Sequence, residues 1–419
     1  MRSPERRPWR IRGPARTEAG SGHGHGHGHG HGHGHGPAAP ADRGVRLVIA
    51  ALLMPAVLAT LVGVLVLYPF ADRSTAPGTA DPSTRISAHV TARLQADCVQ
   101  GQGDGGCVAL AVLTSDGPLP GQSIVIPASV LRGVEAYDVG DDVVLLRFGD
   151  DPGDLESYRI VDFQRDTPLQ VLAGLFVVAV VALGRRRGLA ALAGLGLTGV
   201  VLLMFVFPAI LAGRDPLTVA IVGSSAIMFG VLYLTHGASA RTSIAVLGTL
   251  LSLLLIGLLG AAFAAAAELT GADETTASLS TAVGADVDGR GLILAGLVIG
   301  ALGALDDVTV TQTSAVWELR RADPRLSPTA LFGAAMRIGR DHVAAAVNTL
   351  VLAYAGATLP LLLLFAVADR GLGDTLTTQV IATEVIRTLV GSIGLVVSVP
   401  LTTALAVAVV HRPDASPDR

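Results

Sequence analysis

Apolar runs long enough to cross a lipid bilayer recur along this chain, and that recurrence limits its fold more than any other feature. A hydrocarbon core takes about 20 residues of helix to span. It offers backbone amides no partner except one another, so only helices and closed barrels cross it. The runs are residues 47–70, 169–183, 189–211, 217–234, 244–267, 292–321, 343–367 and 385–410. About eight transmembrane helices are therefore expected. The 419 residues are 51% hydrophobic and only 15% charged, the composition of an integral membrane protein. The apolar mass is Ala, Leu, Val and Gly, and the 50 glycines suit close helix packing in lipid.

Every basic residue is an arginine, and the placement of the arginines orients the chain. Arg43 and Arg46 precede the first run, and no small-residue cleavage site follows it. Residues 45–70 therefore read as an uncleaved signal-anchor helix. With the N-terminus inside, Arg185, Arg186, Arg187, Arg241 and the cluster from Arg320 to Arg340 all fall on the cytoplasmic side. The acidic loop with Glu268, Asp273, Glu274, Asp286 and Asp288 falls outside. The expected location is the plasma (cytoplasmic) membrane, with both termini inside and residues 411–419 as a cytoplasmic tail.

Two segments are polar. Residues 1–44 are Arg-rich and carry histidines alternating with glycine at His23, His25, His27, His29, His31, His33 and His35. This composition cannot form a packed core and reads as a disordered cytoplasmic tail. The tract is a weak, flexible site for zinc, nickel or copper, or else a low-complexity expansion with incidental metal affinity. Residues 71–167 hold short alternating runs (VALAVLTSD, QSIVIP, VVLLRF, YRIVDF) divided by turn signals such as DGPLPG and GDDPGD. That pattern predicts a small extracytoplasmic β-barrel or sandwich. Cys98 and Cys107 flank a short Gly-rich loop; outside the cell a disulfide is expected, with two isolated thiols as the alternative. The fold class is thus mostly α, a polytopic helix bundle over 168–410 with a small β domain.

The chemistry concentrates in residues 292–321, LILAGLVIGALGALDDVTVTQTSAVWELRR. An acid in mid-bilayer costs about 2.5–3.5 kcal/mol on insertion scales. Here two stand side by side, Asp306 and Asp307. At the α-helical rise Asp306 lies about 21 Å below Leu292, near the middle of the bilayer. Asp306 shares a helix face with Val310 and Thr313, and Asp307 with Thr311 and Ser314. Carboxylates with hydroxyls a turn below them are what a proton relay uses, so Asp306, Asp307, Thr309, Thr311 and Thr313 are the candidate residues. The alternative is that the pair binds donors on neighbouring helices and fixes packing. Glu384 and Arg387 stand as a charged couple at the outer edge of the last run. The stretches WELRR and LFGAAMRIGRDH read as interfacial helix ends. No GxxxxGK[ST], HExxH or GxSxG stands in a suitable context, so no enzyme and no cofactor are expected. No basic groove with interleaved aromatics suggests a nucleic-acid partner.

Three long strings resemble the YibE/F family of bacterial membrane proteins: GLILAGLVIGALGALDDVTVTQTSAVWELRRADPRLS, THGASARTSIAVLGT around His236, and ATEVIRTLVGSIGLVVSVPLTT. The resemblance covers about residues 168–410. A more distant similarity links DDVTVTQTSAVWELRR and the following AAVNTLVLAYAGATLP to the proton-coupled segment of resistance–nodulation–division and SecD/SecF transporters. That similarity implies that Asp306 and Asp307 match a proton-carrying pair. It also implies that a single bundle of this kind is completed by a homodimer or a paralogous membrane partner. The expected function is a proton-coupled transporter or exporter of a small molecule, or its membrane subunit. The alternative is a non-transporting scaffold or envelope-assembly factor whose β domain binds a partner. A lesser option is metal handling through the His-Gly tract.

Overall fold

The computed structural model describes residues 43–70, 85–96, 107–127, 137–148, 151, 153–283, 287–367, 373 and 377–411. The tract from His23 to His35 and Cys98 lie outside the described residues, so neither metal binding there nor the disulfide is settled.

The polar segment after the first helix forms five strands. They are β1 (Arg85–Ala96), β2 (Cys107–Thr114), β3 (Ser123–Pro127), β4 (Asp142–Arg147) and β5 (Tyr158–Phe163). All neighbours pair antiparallel, in the order β3-β2-β1-β4-β5. Alternate side chains share a face, so Ile86, Ala88, Val90, Leu110, Val112, Ile124, Ile126, Val143 and Leu145 form one buried layer. The expected barrel or sandwich is corrected here. Among the described residues β3 and β5 do not hydrogen-bond to each other, and the sheet stays open. Alternation reports a half-buried strand, whereas closure depends on strand number, tilt and register, which alternation does not encode. Gly117 holds the β2–β3 connection at φ 86°, where a Cβ would lie 2.8 Å from Cγ1 of Ile86. Tyr137 stacks on Phe163 with ring centroids 4.6 Å apart. Burial raises the Tyr137 phenol above its usual range, and the nearby Asp162 adds to the shift.

The helices are α1 (Arg43–Leu67), α2 (Asp166–Gly184), α3 (Arg186–Val201), α4 (Phe207–Leu211), α5 (Pro216–His236), α6 (Ala240–Ala266), α7 (Glu274–Val283), α8 (Gly289–Ala322), α9 (Pro328–Ala357), α10 (Leu359–Val367) and α11 (Gln379–Val410). Side-chain caps start the long ones: Asp215 accepts from the Thr218 amide, Ser239 from Thr242, Asp288 from Gly291 and Ser327 from Ala330. A π turn, Leu202–Val206, joins α3 to α4, and the Phe207 amide bonds to Leu202 O five residues back. Pro208 follows and has no amide for the carbonyl four residues before it, which favours this local rewinding.

Seven helical segments among the described residues are long and apolar enough to cross a membrane: Gly44–Leu67, Asp166–Gly184, Arg186–Leu211, Pro216–His236, Ala240–Ala266, Gly289–Ala322 and Gln379–Val410. The chain is a multi-pass membrane protein. The run 343–367, expected as an eighth span, is divided between α9 and α10 at Thr358. Pro360 stands in the first turn of α10, where its missing amide costs nothing; inside one continuous helix it would leave Gly356 O unbonded. The bundle core gathers Leu232, Ile256, Leu297 and Leu305 from α5, α6 and α8, with Leu395 and Val399 from α11. Glycine lets α6 and α11 meet closely: Gly248 lies under Thr402, and Gly394 under Ile256.

Candidate functional site

Side-chain contacts fix how the helices around the aspartates line up. α6 runs antiparallel to α8: Thr249 and Thr309 share a buried hydroxyl–hydroxyl bond of 2.8 Å, and Gly260 sits against Leu297. α11 runs parallel to α8: the Gln312 amide donates 2.7 Å to Thr403 Oγ1, and a Cβ on Gly296 would lie 3.5 Å from the Arg387 guanidinium. α9 returns antiparallel: Gln312 also donates 3.0 Å to Ala335 O, and a Cβ on Gly300 would lie 2.6 Å from Tyr354 Oη. Asp306 falls between these levels, midway along α8.

Consecutive helical residues point about 100° apart, so two adjacent aspartates cannot occupy one environment. Asp306 turns inward. Its Oδ1 is buried and has no hydrogen-bond partner among the described residues. Asp307 turns outward, with its side chain 74% exposed, and its Oδ2 lies 3.4 Å from Nε2 of His342 on α9. That separation is within ion-pair range, but the geometry gives His342 Nε2 no hydrogen bond.

The threonine candidates divide in the same way. Thr309 is fully buried and bonds to Thr249, and its hydroxyl also lies 3.2 Å from Asp306 O. Thr313 is fully buried, but its hydroxyl is spent on Thr309 O and Val310 O of its own helix. Thr311 lies on the Asp307 side and is half-buried. Further buried hydroxyls line the same core: Ser252 donates to Gly248 O, Ser398 to Leu395 O, and Thr402 Oγ1 has no partner among the described residues.

Glu384 and Arg387 form an ion pair of 2.9 Å, with side chains only 21% and 24% exposed. The guanidinium carbon stands 6.0 Å from the Tyr354 ring centroid. This couple belongs to the packed interface against the glycine face of α8 and lies apart from Asp306, some two to three helical turns along α8.

Three residues that the sequence did not single out complete the arrangement: Thr249, Gln312 and His342. The signal for His342 was a lone imidazole at the start of an apolar run, overshadowed by its arginine neighbours. Gln312 stood inside the quoted polar stretch, but its partners lie 23 and 91 residues away. Among the described residues no three of His, Cys, Asp and Glu converge as a metal site.

The family model described as YibE/F-like protein matches residues 172–412, a span that holds every residue of this site. No curated protein and no solved structure matches the chain. The likeness of α8 to resistance–nodulation–division and SecD/SecF transporters finds no support in these comparisons.

Proposed function

The chain belongs to the YibE/F-like protein family, and from that premise we propose that it is a proton-coupled transporter or exporter, or the membrane subunit of one. The observation that supports this most is the inward carboxyl of Asp306, with an oxygen buried in mid-span and unpartnered among the described residues. A purely structural buried acid spends its oxygens on donors, because an unpaired one costs free energy. An acid held without donors is free to take and give a proton. Asp307 and His342 then offer the next stations on the way to the Arg-rich end of α8. Thr309 holds Asp306's segment against α6 rather than carrying protons itself. In this reading the protein sits in the plasma membrane with the Arg-rich end in the cytoplasm, which the arginine pattern supports, and the β domain gates the bundle or meets the substrate outside.

The test is infrared difference spectroscopy across bulk pH on the purified chain in lipid. A protonated-carboxyl band that comes and goes with pH, and is lost in a folded Asp306→Asn variant, is the expected result. A spectrum without any titrating carboxyl, or one unchanged by Asp306→Asn, would sink the proposal. Unfolding of Asp306→Asn would favour the scaffold reading instead.

A further inference from the structure

α9 and α11 meet closely at one level and part at the next. A Cβ on Gly391 would lie 3.4 Å from Leu350, and nearer to α10 the Arg387 guanidinium carbon stands 6.0 Å from the Tyr354 ring centroid. Beyond that level Ala355 and Thr358 of α9, Leu362 of α10, and Ile381 and Val385 of α11 border a cavity of about 240 Å³. Ala355 ends at Cβ, and the Thr358 hydroxyl is turned back to Tyr354 O at 3.0 Å, so neither fills the gap. The cavity is partly open, with Val351 and Leu389 as its exposed rim, and its walls are almost wholly apolar. Its one carboxylate, Glu384, is held by Arg387 at 2.9 Å, so the couple carries no net charge. Tyr354 is the wall toward α8, where a Cβ on Gly300 would lie 2.6 Å from its Oη. Asp306 follows Gly300 on the same helix, about 9 Å farther along the axis.

We infer that this cavity binds a small, uncharged, mainly apolar solute, such as an arene with at most one hydroxyl group, and that such solutes are the substrate class. An apolar cavity of about 150 Å³ takes one benzene ring. By that measure this one takes roughly ten heavy atoms, the size of two fused rings. Apolar walls return nothing to an ion for its lost water, and the Glu384–Arg387 couple is already neutral, so a charged molecule is disfavoured. A lipid acyl chain is longer than the cavity and leaves much of its length outside, whereas a compact solute buries most of its surface there. The binding requires no proton movement. That the bound molecule is the one transported rests on the transporter reading: the solute stands against Tyr354, and Tyr354 touches the helix that carries Asp306.

Photolabelling tests it. The full chain in lipid nanodiscs is irradiated with an aryl trifluoromethyl diazirine, with and without excess naphthol, and the labelled peptides are mapped by mass spectrometry. Label is expected within 351–362 and 381–389 and is expected to fall severalfold with naphthol. Label at Leu172 and Leu175 of α2, 63% and 62% exposed, is expected to stay unchanged. Cavity label that naphthol does not displace overturns the inference, because lipid chains then fill the space; absence of label there overturns it too. Displacement by naphthoate or naphthylammonium at lower concentration than by naphthol overturns the assigned class. Ala355→Phe and Val385→Phe each put a ring into the cavity and are expected to abolish the displaceable label; displaceable label that survives in either folded variant counts against the site. Asp306→Asn separates the two proposals, because displaceable label is expected to persist in it. Displaceable label in a parent chain without a titrating carboxyl keeps the binding site and removes the transporter reading. A titrating carboxyl without displaceable label overturns this inference alone.

Discussion

Replacing Asp306 tests whether the inward acid is functional or structural, because the two roles differ by several kcal/mol. Removing one member of a buried, partnered charge pair costs about 3–5 kcal/mol. For a domain of this size each kcal/mol moves the thermal midpoint by about 2–4 °C, so a structural acid would cost roughly 6–20 °C. The geometry argues for a much smaller effect. Asp306 Oδ1 accepts no hydrogen bond among the described residues, and the side chain makes no ion pair there. Asp306→Asn therefore breaks no side-chain bond to a neighbour, and its stability is expected within about 0.5 kcal/mol of the parent. Asp306→Leu removes the buried polar group altogether and is expected to be neutral or stabilising. The assay is thermal unfolding in lipid nanodiscs, followed by circular dichroism. A fall of about 10 °C or more in both variants would refute the reasoning and show that Asp306 holds the bundle together.

Gln312→Leu serves as the contrast: it removes the bonds to Thr403 Oγ1 and Ala335 O, and a loss of about 1–3 kcal/mol is expected in the same unfolding assay. A double-mutant cycle of Thr249→Val and Thr309→Val is expected to give a coupling of about 0.6 kcal/mol, typical of interhelical hydrogen bonds in a bilayer. Gly394→Ala pushes a methyl onto Ile256 of α6 and is expected to cost about 1–3 kcal/mol, whereas Gly199→Ala meets open space and is expected to cost nothing. In the β domain the Arg165 hydrogen bond, helped by the Phe163 amide, holds the Asp162 carboxyl below its usual range. The stabilisation is therefore present above the ordinary carboxylate pKa and is lost as pH falls through the lowered folded value. Arg165→Ala is expected to move the Asp162 carbonyl NMR titration upward and to destabilise the fold only above that acid window.

The helical character of the chain was legible wherever one segment carried its own signal. Run length marked the spans, and Asp306 and Asp307 marked the middle of α8. A helical wheel places the two aspartates on different faces, but cannot say which face meets protein. That depends on the neighbours, and Thr249, His342 and Thr403 reach α8 through helix registers that no single segment encodes. Thr309 and Thr313 looked equivalent by spacing, yet only Thr309 reaches another helix, because Thr313 bonds back to its own turn. The eighth run failed as one helix at Pro360, a residue whose effect was readable, but hydropathy averages over it. Glu384 and Arg387 read from the sequence only as a charged couple at the edge of the last run; the glycine face of α8, which makes room for them among the helices, belongs to another segment.

The π turn at Leu202–Val206 gives the third span one residue of slack. Before it, Gly194 rests on Val231 of α5; at its C-terminal end, Phe205 and Val206 rest on Gly223 of the same helix. A wide turn of this kind is an α-helix that has swallowed an insertion, and the helix on either side keeps its phase. Excising Leu203, an outward-facing residue, is expected to return the span to an unbroken α-helix with both contacts in place. Excising a residue elsewhere between those contacts turns everything beyond it by about 100° and swings Phe205 away from α5. The span is thus shortened harmlessly at one place, and a length difference there marks a change in winding, not in packing.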